Sequence, residues 1–424
     1  MKSLNSKIIG SIIVLVLFIS IIAVLTLPKR DNSKLDIIEV QELYGDIIPY
    51  EGMSYGDTII SKEIFQSLLK ADNFEITCEL ADSYTVHGTE ITVKINKSNF
   101  KLPDGEKSLT VDDIIKYYEA LRKMSDASMI NNPAITNLLS VHKVDSSTIK
   151  FNFASEKAIN ILALTEYIGY EVDGKWYGTK NSVLYEDTGI VIGDTKYINA
   201  NTVTMSEKTR ISTMVFANAD RSDGIKKENI PNGAFGFLTW SSSCDIGLDD
   251  RKQIIEALNK SDIRDNIEIK ADSIYTGTPL YKEINNLTDN NDLKNFNTTI
   301  NIGVANLGSY KLIEESIAKA FEGIGLNVNI KSAELSELAQ SDEFDMIYVR
   351  LQRGKSPDFT SLLTDNGFIG EAGYSSQYTE YIDTINRAKT WDELCETLSN
   401  LDQKMREDGA WLFIDQAFDI KTTR

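Results

Sequence analysis

Residues 91–121 read ITVKINKSNFKLPDGEKSLTVDDIIKYYEAL, and in this stretch the hydrophobic period changes from that of a strand to that of a helix. Ile91, Val93 and Ile95 alternate with polar residues, which puts one apolar face on a half-buried strand. The phrase LPDG then breaks the pattern with a proline and a glycine. Thr110 stands where a helix cap belongs, and Asp112 and Asp113 suit the positive end of the dipole. Ile114, Tyr118 and Leu121 follow on one helical face.

The same alternation of elements continues downstream. Ile149, Phe151 and Phe153 mark another half-buried strand. TTINIGVA (298–305) reads as a strand, KLIEESIAKAFEGIGL (311–326) as a helix stopped at Gly323 or Gly325, and NVNIKS (327–332) and FDMIYVRL (344–351) as strands. In TWDELCETLSNLDQKM (390–405), Thr390 and Glu393 are spaced as a capping box ahead of Trp391, Leu394, Leu398, Leu401 and Met405. Strands alternating with helices predict an α/β fold, a sheet covered by helices. The loops richest in Asn, Asp and Gly, 173–195 and 285–297, are the expected domain edges.

The chain has 424 residues, enough for two or three domains, and 42% hydrophobic with 25% charged residues suits a folded protein. A net charge of −19 argues against a nucleic-acid partner, whose phosphates it would repel. Ile8–Leu27 is an almost unbroken apolar run, about 30 Å long as a helix, enough for a bilayer core. Lys2 and Lys7 precede it; no small-x-small site closes it and no lipobox cysteine follows. It reads as an uncleaved signal anchor, with cleavage and release as the alternative. The expected location is the cell membrane, single-pass, with the bulk of the chain extracytoplasmic.

No nucleophile–base pair, Walker loop, dinucleotide fingerprint, HExxH or EF-hand pattern occurs, so nothing in the chain calls for an enzyme or a cofactor. His87 and His142 lack a second ligand type at usable spacing, and Cys78, Cys244 and Cys395 form no pair. No metal site is expected.

Residues 64–124 carry a resemblance. IFQSLLKAD, ELADSY and then the 91–121 phrase resemble solute-binding protein family 5, the substrate-binding proteins of peptide ABC importers. Leu68-Leu69, Leu80-Ala81, Phe100, Asp104-Gly105, Thr110 and Asp112-Asp113 fall in that family's order and spacing. KVDSSTIKFNF, GLDDRKQIIEALNKSDI and FDMIYVRLQRGKSPDFTSLL extend the likeness more weakly over most of the chain.

The resemblance implies a two-lobed, type II periplasmic-binding-protein-like fold that closes on an extended ligand. It implies residues 1–34 as cytoplasmic tip, anchor and linker, 35–240 as a first lobe with an inserted subdomain at about 60–150, and 241–424 as the second lobe. The implied function is an extracytoplasmic ABC-importer component that binds an oligopeptide-like or other small extended ligand, with a transporter permease as partner. The alternative is a degenerate paralogue acting as a membrane-tethered sensor or interaction protein. The loop YEGMSYGD offers Gly52, Met53, Ser54 and Tyr55 as ligand contacts, with Trp240 and Ser241 after a strand end.

Three departures stand out. A helix and strand are missing between Thr195 and Phe237, and the chain stops at FDIKTTR, short of the family's final strands. Peptide binders often carry an aspartate four residues before the proline; Arg353 stands four before Pro357. A cation cannot hold a peptide's ammonium group, so Arg353 is expected to meet an anionic one, or else to pair with Asp358.

Overall fold

A computed structural model of the chain describes residues 36–40, 43–45, 47–49, 55–96, 109–126, 132–199, 211–214, 226–261, 263–284, 299–305, 311–338, 341–364, 367 and 369–423. The apolar run 8–27 lies outside them, as do Gly52, Met53, Ser54 and the loop 285–297. No helix among the described residues is long and apolar enough to cross a membrane.

The described parts of the quoted stretch, 91–96 and 109–121, fold as their periods require. Glu90–Ile95 is a strand and Val111–Asp126 a helix. Thr110 Oγ1 accepts from the Asp113 amide (3.2 Å) while Asp113 Oδ2 accepts from the Thr110 amide (2.9 Å), a reciprocal cap. The strand belongs to a four-stranded antiparallel sheet in the order Ala81–His87, Glu90–Ile95, Thr148–Phe153, Leu138–Lys143. Ile91, Val93, Ile149 and Phe151 face the helix side chains Ile114, Tyr118 and Leu121 in one core, Tyr118 meeting Phe151 edge-on at 4.9 Å. Each such side chain, fully withdrawn from water, contributes roughly 1.5–3 kcal/mol.

A ten-stranded mixed sheet forms the rest of the frame. Its order is Val183–Glu186, Gly189–Ile192, Thr195–Asn199, Asp36–Val40, Ile211–Met214, Trp411–Thr423, Lys226–Trp240, Met346–Gln352, Thr299–Ala305, Asn327–Ala333. Two of these strands are much longer than the others and run antiparallel to each other through the whole span. One half of Lys226–Trp240 lies beside residues 418–423, and its other half beside Met346–Gln352. The returning strand ends against Ile211–Met214, next to Asp36–Val40. The two lobes are therefore joined by a pair of strands, with register shifts between Pro231 and Phe235 and between Gly236 and Phe237. The chain's last strand ends on the first lobe's side of the sheet, so residues 411–423 are shared by both lobes.

In the second lobe Thr299–Ala305, the helix Lys311–Gly323 and Asn327–Ala333 form a parallel β-α-β unit. Thr390 Oγ1 caps the helix Trp391–Glu407 by accepting from the Glu393 amide (3.2 Å). Leu394, Leu398, Leu401 and Met405 enter the lobe's core beside Trp411 and Phe413.

The stretch 173–195 is not an unstructured loop. It holds the short strands Lys175–Tyr177, Val183–Glu186 and Gly189–Ile192: Asp173-Gly174 turns a hairpin from Tyr170–Val172, and Asp187-Thr188 and Gly193-Asp194 turn the two hairpins on either side of Gly189–Ile192. The cysteines are free, Cys78 exposed and Cys244 and Cys395 buried. Among the described residues no three His, Cys, Asp or Glu side chains are placed to hold a metal ion.

Candidate functional site

The register of the lobe-joining strands decides what sits at the junction. Ala234 pairs with Gln352 and Trp240 with Met346. One step further the Arg353 amide donates to the Gly233 carbonyl (2.8 Å), and there the strand leaves the sheet. Gly233 has φ +86°, which favours glycine, and a Cβ on it would lie 3.1 Å from Gln352 Nε2.

Arg353 stands at this exit, half-buried. Its guanidinium lies 4.8 Å from the Phe235 ring centre and 5.7 Å from that of Phe74, and Nη1 donates to the Thr276 carbonyl (3.2 Å). Burial lowers its pKa, and among the described residues no carboxylate forms an ion pair with it. The pairing with Asp358 is not formed: Asp358 Oδ1 instead accepts from the amide and hydroxyl of Thr360 (2.8 and 2.7 Å). Two residues on, Lys355 Nζ donates to the Thr165 carbonyl (2.5 Å) and stands 4.5 Å above the Tyr167 ring. The arm Arg353–Lys355 thus reaches from the end of Met346–Gln352 to Thr165 and Tyr167.

Beside the arm lies a buried polar cluster on the same strands. Asp415 accepts from the Tyr348 hydroxyl on one oxygen and from Arg350 Nη2 (2.6 Å) on the other. Asp415 is 5% exposed as a side chain and Arg350 16%. Gly236 makes room for the cluster, since a Cβ there would stand 1.9 Å from both Asp415 Oδ1 and the Tyr348 hydroxyl.

Phe74 was not read from the sequence as part of any site. The hairpin Leu69–Asp72 and Glu75–Cys78 turns through Asn73 and Phe74, at φ 48° and 67°. A two-residue turn with both φ positive normally takes Asn-Gly, and an aromatic residue in the left-handed region costs about 1–2 kcal/mol. Phe74 is nevertheless 6% exposed, packed in the second lobe's core with its ring edge-on to Tyr275 at 5.5 Å. Its carbonyl accepts from Trp391 Nε1 (2.7 Å). The tip of a hairpin beside the inserted sheet is a plug in the other lobe.

Of the sequence-derived ligand contacts, Gly52, Met53 and Ser54 lie outside the described residues, and Tyr55 opens the helix Tyr55–Ile64. Trp240 lies in the core. It is fully buried, donates its indole N–H to the Gly409 carbonyl (2.9 Å), and has the Arg251 guanidinium 5.4 Å from its ring. Six residues separate it from Ala234, about 20 Å along a strand, so it occupies the end of the strand far from the Arg353 exit. Ser241 follows it, 8% exposed, and bonds to the Ser243 hydroxyl (3.0 Å).

No protein-family model and no curated protein matches the chain. Solved structures do. A nickel ABC transporter protein of Bacillus halodurans superposes with a TM-score of 0.73 at 14% identity, covering 92% of this chain and 95% of that one. The ABC transporter substrate binding protein CtaP of Listeria monocytogenes gives 0.70 at 14% identity, over 92% and 93% of the two chains. The oligopeptide-binding protein AppA of Bacillus subtilis, solved with a nonapeptide, gives 0.56 at 15%, over 92% and 94%.

This chain has the fold of the ABC-transporter substrate-binding proteins. The resemblance carried by residues 64–124 is borne out at the level of architecture, two α/β lobes included.

Proposed function

We propose that the protein is the extracytoplasmic substrate-binding component of an ABC importer, and that it encloses a peptide-like or other small extended ligand between its lobes. One observation carries the reading: the second lobe's sheet sends a cationic arm, Arg353 to Lys355, across to Thr165 and Tyr167, in a chain of net charge −19. A positive group with no ion pair among the described residues, at an interlobe junction, suits a ligand with an anionic end. That end is a peptide carboxylate or an acidic side chain, whose two oxygens match a guanidinium fork. Gly52–Tyr55 remain the proposed backbone contacts on the facing lobe, by strand addition. Placement outside the membrane rests on the apolar run 8–27, and the transporter permease on the fold.

Mass spectrometry of small molecules released from the purified protein tests the reading, followed by calorimetry with the molecule found. Arg353→Ala should weaken binding of an anionic ligand by about 2–5 kcal/mol. Arg353→Lys, which keeps the charge and loses the fork, should fall between the two. An unchanged dissociation constant for Arg353→Ala ends the assignment of Arg353, and release of a purely cationic ligand ends the anionic class.

A further inference from the structure

The inserted sheet and the second lobe do not close fully on each other. Between them lies a cavity of about 660 Å³, within the range of about 300–1,000 Å³ usual for small-molecule sites. Its first wall comes from Ala81–His87, an edge strand. Tyr84 and Val86 alternate onto one face of that strand and both line the cavity. Val86 is left 45% exposed, an apolar side chain that no core covers. Opposite stand Leu280, Trp391 and Cys395 of the second lobe. The Trp391 indole N–H is already spent on the Phe74 carbonyl (2.7 Å), so the indole offers its ring rather than a donor. Burial pushes the Cys395 thiol up to about 12, which leaves it neutral and part of the apolar lining.

The charged residues lining the cavity are three carboxylates, Glu75, Glu156 and Asp392, against two lysines, Lys157 and Lys389. Lys389 is held by Glu156 (2.9 Å), so those two charges cancel. Glu75 and Asp392 then face the single cation Lys157. Phe74 separates the cavity from the importer site, lining the cavity while its ring meets Arg353.

We propose that this cavity is a second ligand site, which takes a compact apolar amine. The hydrocarbon or aromatic body lies against Val86, Leu280 and the Trp391 ring. The ammonium head stands beside Glu75 and Asp392, within reach of the Tyr84 and Trp391 rings, where a cation is also held by the aromatic quadrupole. The site is separate from the arm Arg353–Lys355 and selects the opposite charge.

Calorimetric titration of the full-length protein with 1-naphthylmethylamine tests this, with 1-naphthoate and 1-naphthalenemethanol as controls of the same body. The amine should bind at one site, at least about ten-fold tighter than the carboxylate. Val86→Arg puts a cation into the cavity from an exposed edge strand. It should weaken the amine at least about ten-fold and leave the unfolding midpoint unchanged. Arg353→Ala should leave amine binding unchanged. Absence of saturable amine binding, equal binding of the naphthoate, or full binding by Val86→Arg would each overturn the proposal. So would loss of amine binding in Arg353→Ala, which would place the amine in the importer site.

Discussion

Replacing Phe74 separates two effects that its position combines. The side chain is packed in the second lobe's core against Tyr275 and Arg353, while its backbone sits at φ 67° in a hairpin turn. Truncating a buried phenylalanine to alanine costs about 3–5 kcal/mol. Alanine keeps a Cβ, so the left-handed strain of about 1–2 kcal/mol stays in place. Glycine removes the same ring but also relieves that strain. The order of stabilities should therefore invert the usual one for an ordered segment: wild type first, Phe74→Gly next, and Phe74→Ala last, by about 1 kcal/mol. Urea unfolding followed by tryptophan fluorescence measures this, Trp391, which bonds the Phe74 carbonyl, being one of the four tryptophans. The unfolding transition of Phe74→Ala should also split, because the lobes lose a plug but keep their own cores. An alanine variant within about 1 kcal/mol of wild type would show that the ring carries little of the interlobe contact. A glycine variant less stable than the alanine one would refute the strain argument.

Gly236→Ala should fail to fold or lose at least about 3 kcal/mol in thermal unfolding, because a Cβ there stands 1.9 Å from Asp415 Oδ1 and from the Tyr348 hydroxyl. In the native protein Ellman's reagent should titrate Cys78 alone, and all three thiols after denaturation, because Cys244 and Cys395 are buried and Cys395 is pushed up to about 12. Asp402 is fully buried, and burial raises its carboxyl to about 6 despite the Arg406 guanidinium beside it at 2.8 Å. A folded-state pKa above the unfolded value of about 3.9 means the folded protein binds the proton more tightly. This group therefore adds stability as pH falls from 6 toward 4, and withdraws it as pH rises. Asp402→Asn should flatten the pH dependence of urea midpoints over that window; an unchanged slope would refute the shift.

What the sequence made legible was local. Ile91, Val93 and Ile95 declare a strand because a period of two can be read within six residues, and Thr110 with Asp113 declares a helix start within four. The family phrase in residues 64–124 added the two-lobed architecture, which no local period could supply. The site depends instead on pairings far apart in the chain. Trp240 ends a strand, but only the register of Lys226–Trp240 against Met346–Gln352 shows which end faces the other lobe. Asp358 lies five residues from Arg353 and was the natural partner by proximity, yet the chain turns between them and Asp358 caps Thr360. Phe74 carried a weak signal: a two-residue break, Asn73-Phe74, between LKAD and EITC, where a hairpin would ask for Asn-Gly. A residue that defies its turn is informative only once its surroundings are known, because strain marks a place where something else compensates. Here the compensation is the second lobe's core, 201 residues away in sequence at Tyr275 and 317 away at Trp391. Such a plug, the arm Arg353–Lys355 and the Ala158–Ala388 backbone bond (2.9 Å) tie Phe74, Thr165 and Ala158 to residues far along the chain. Any opening about the two long strands would have to break them together, and under the proposed function a bound ligand would repay those contacts.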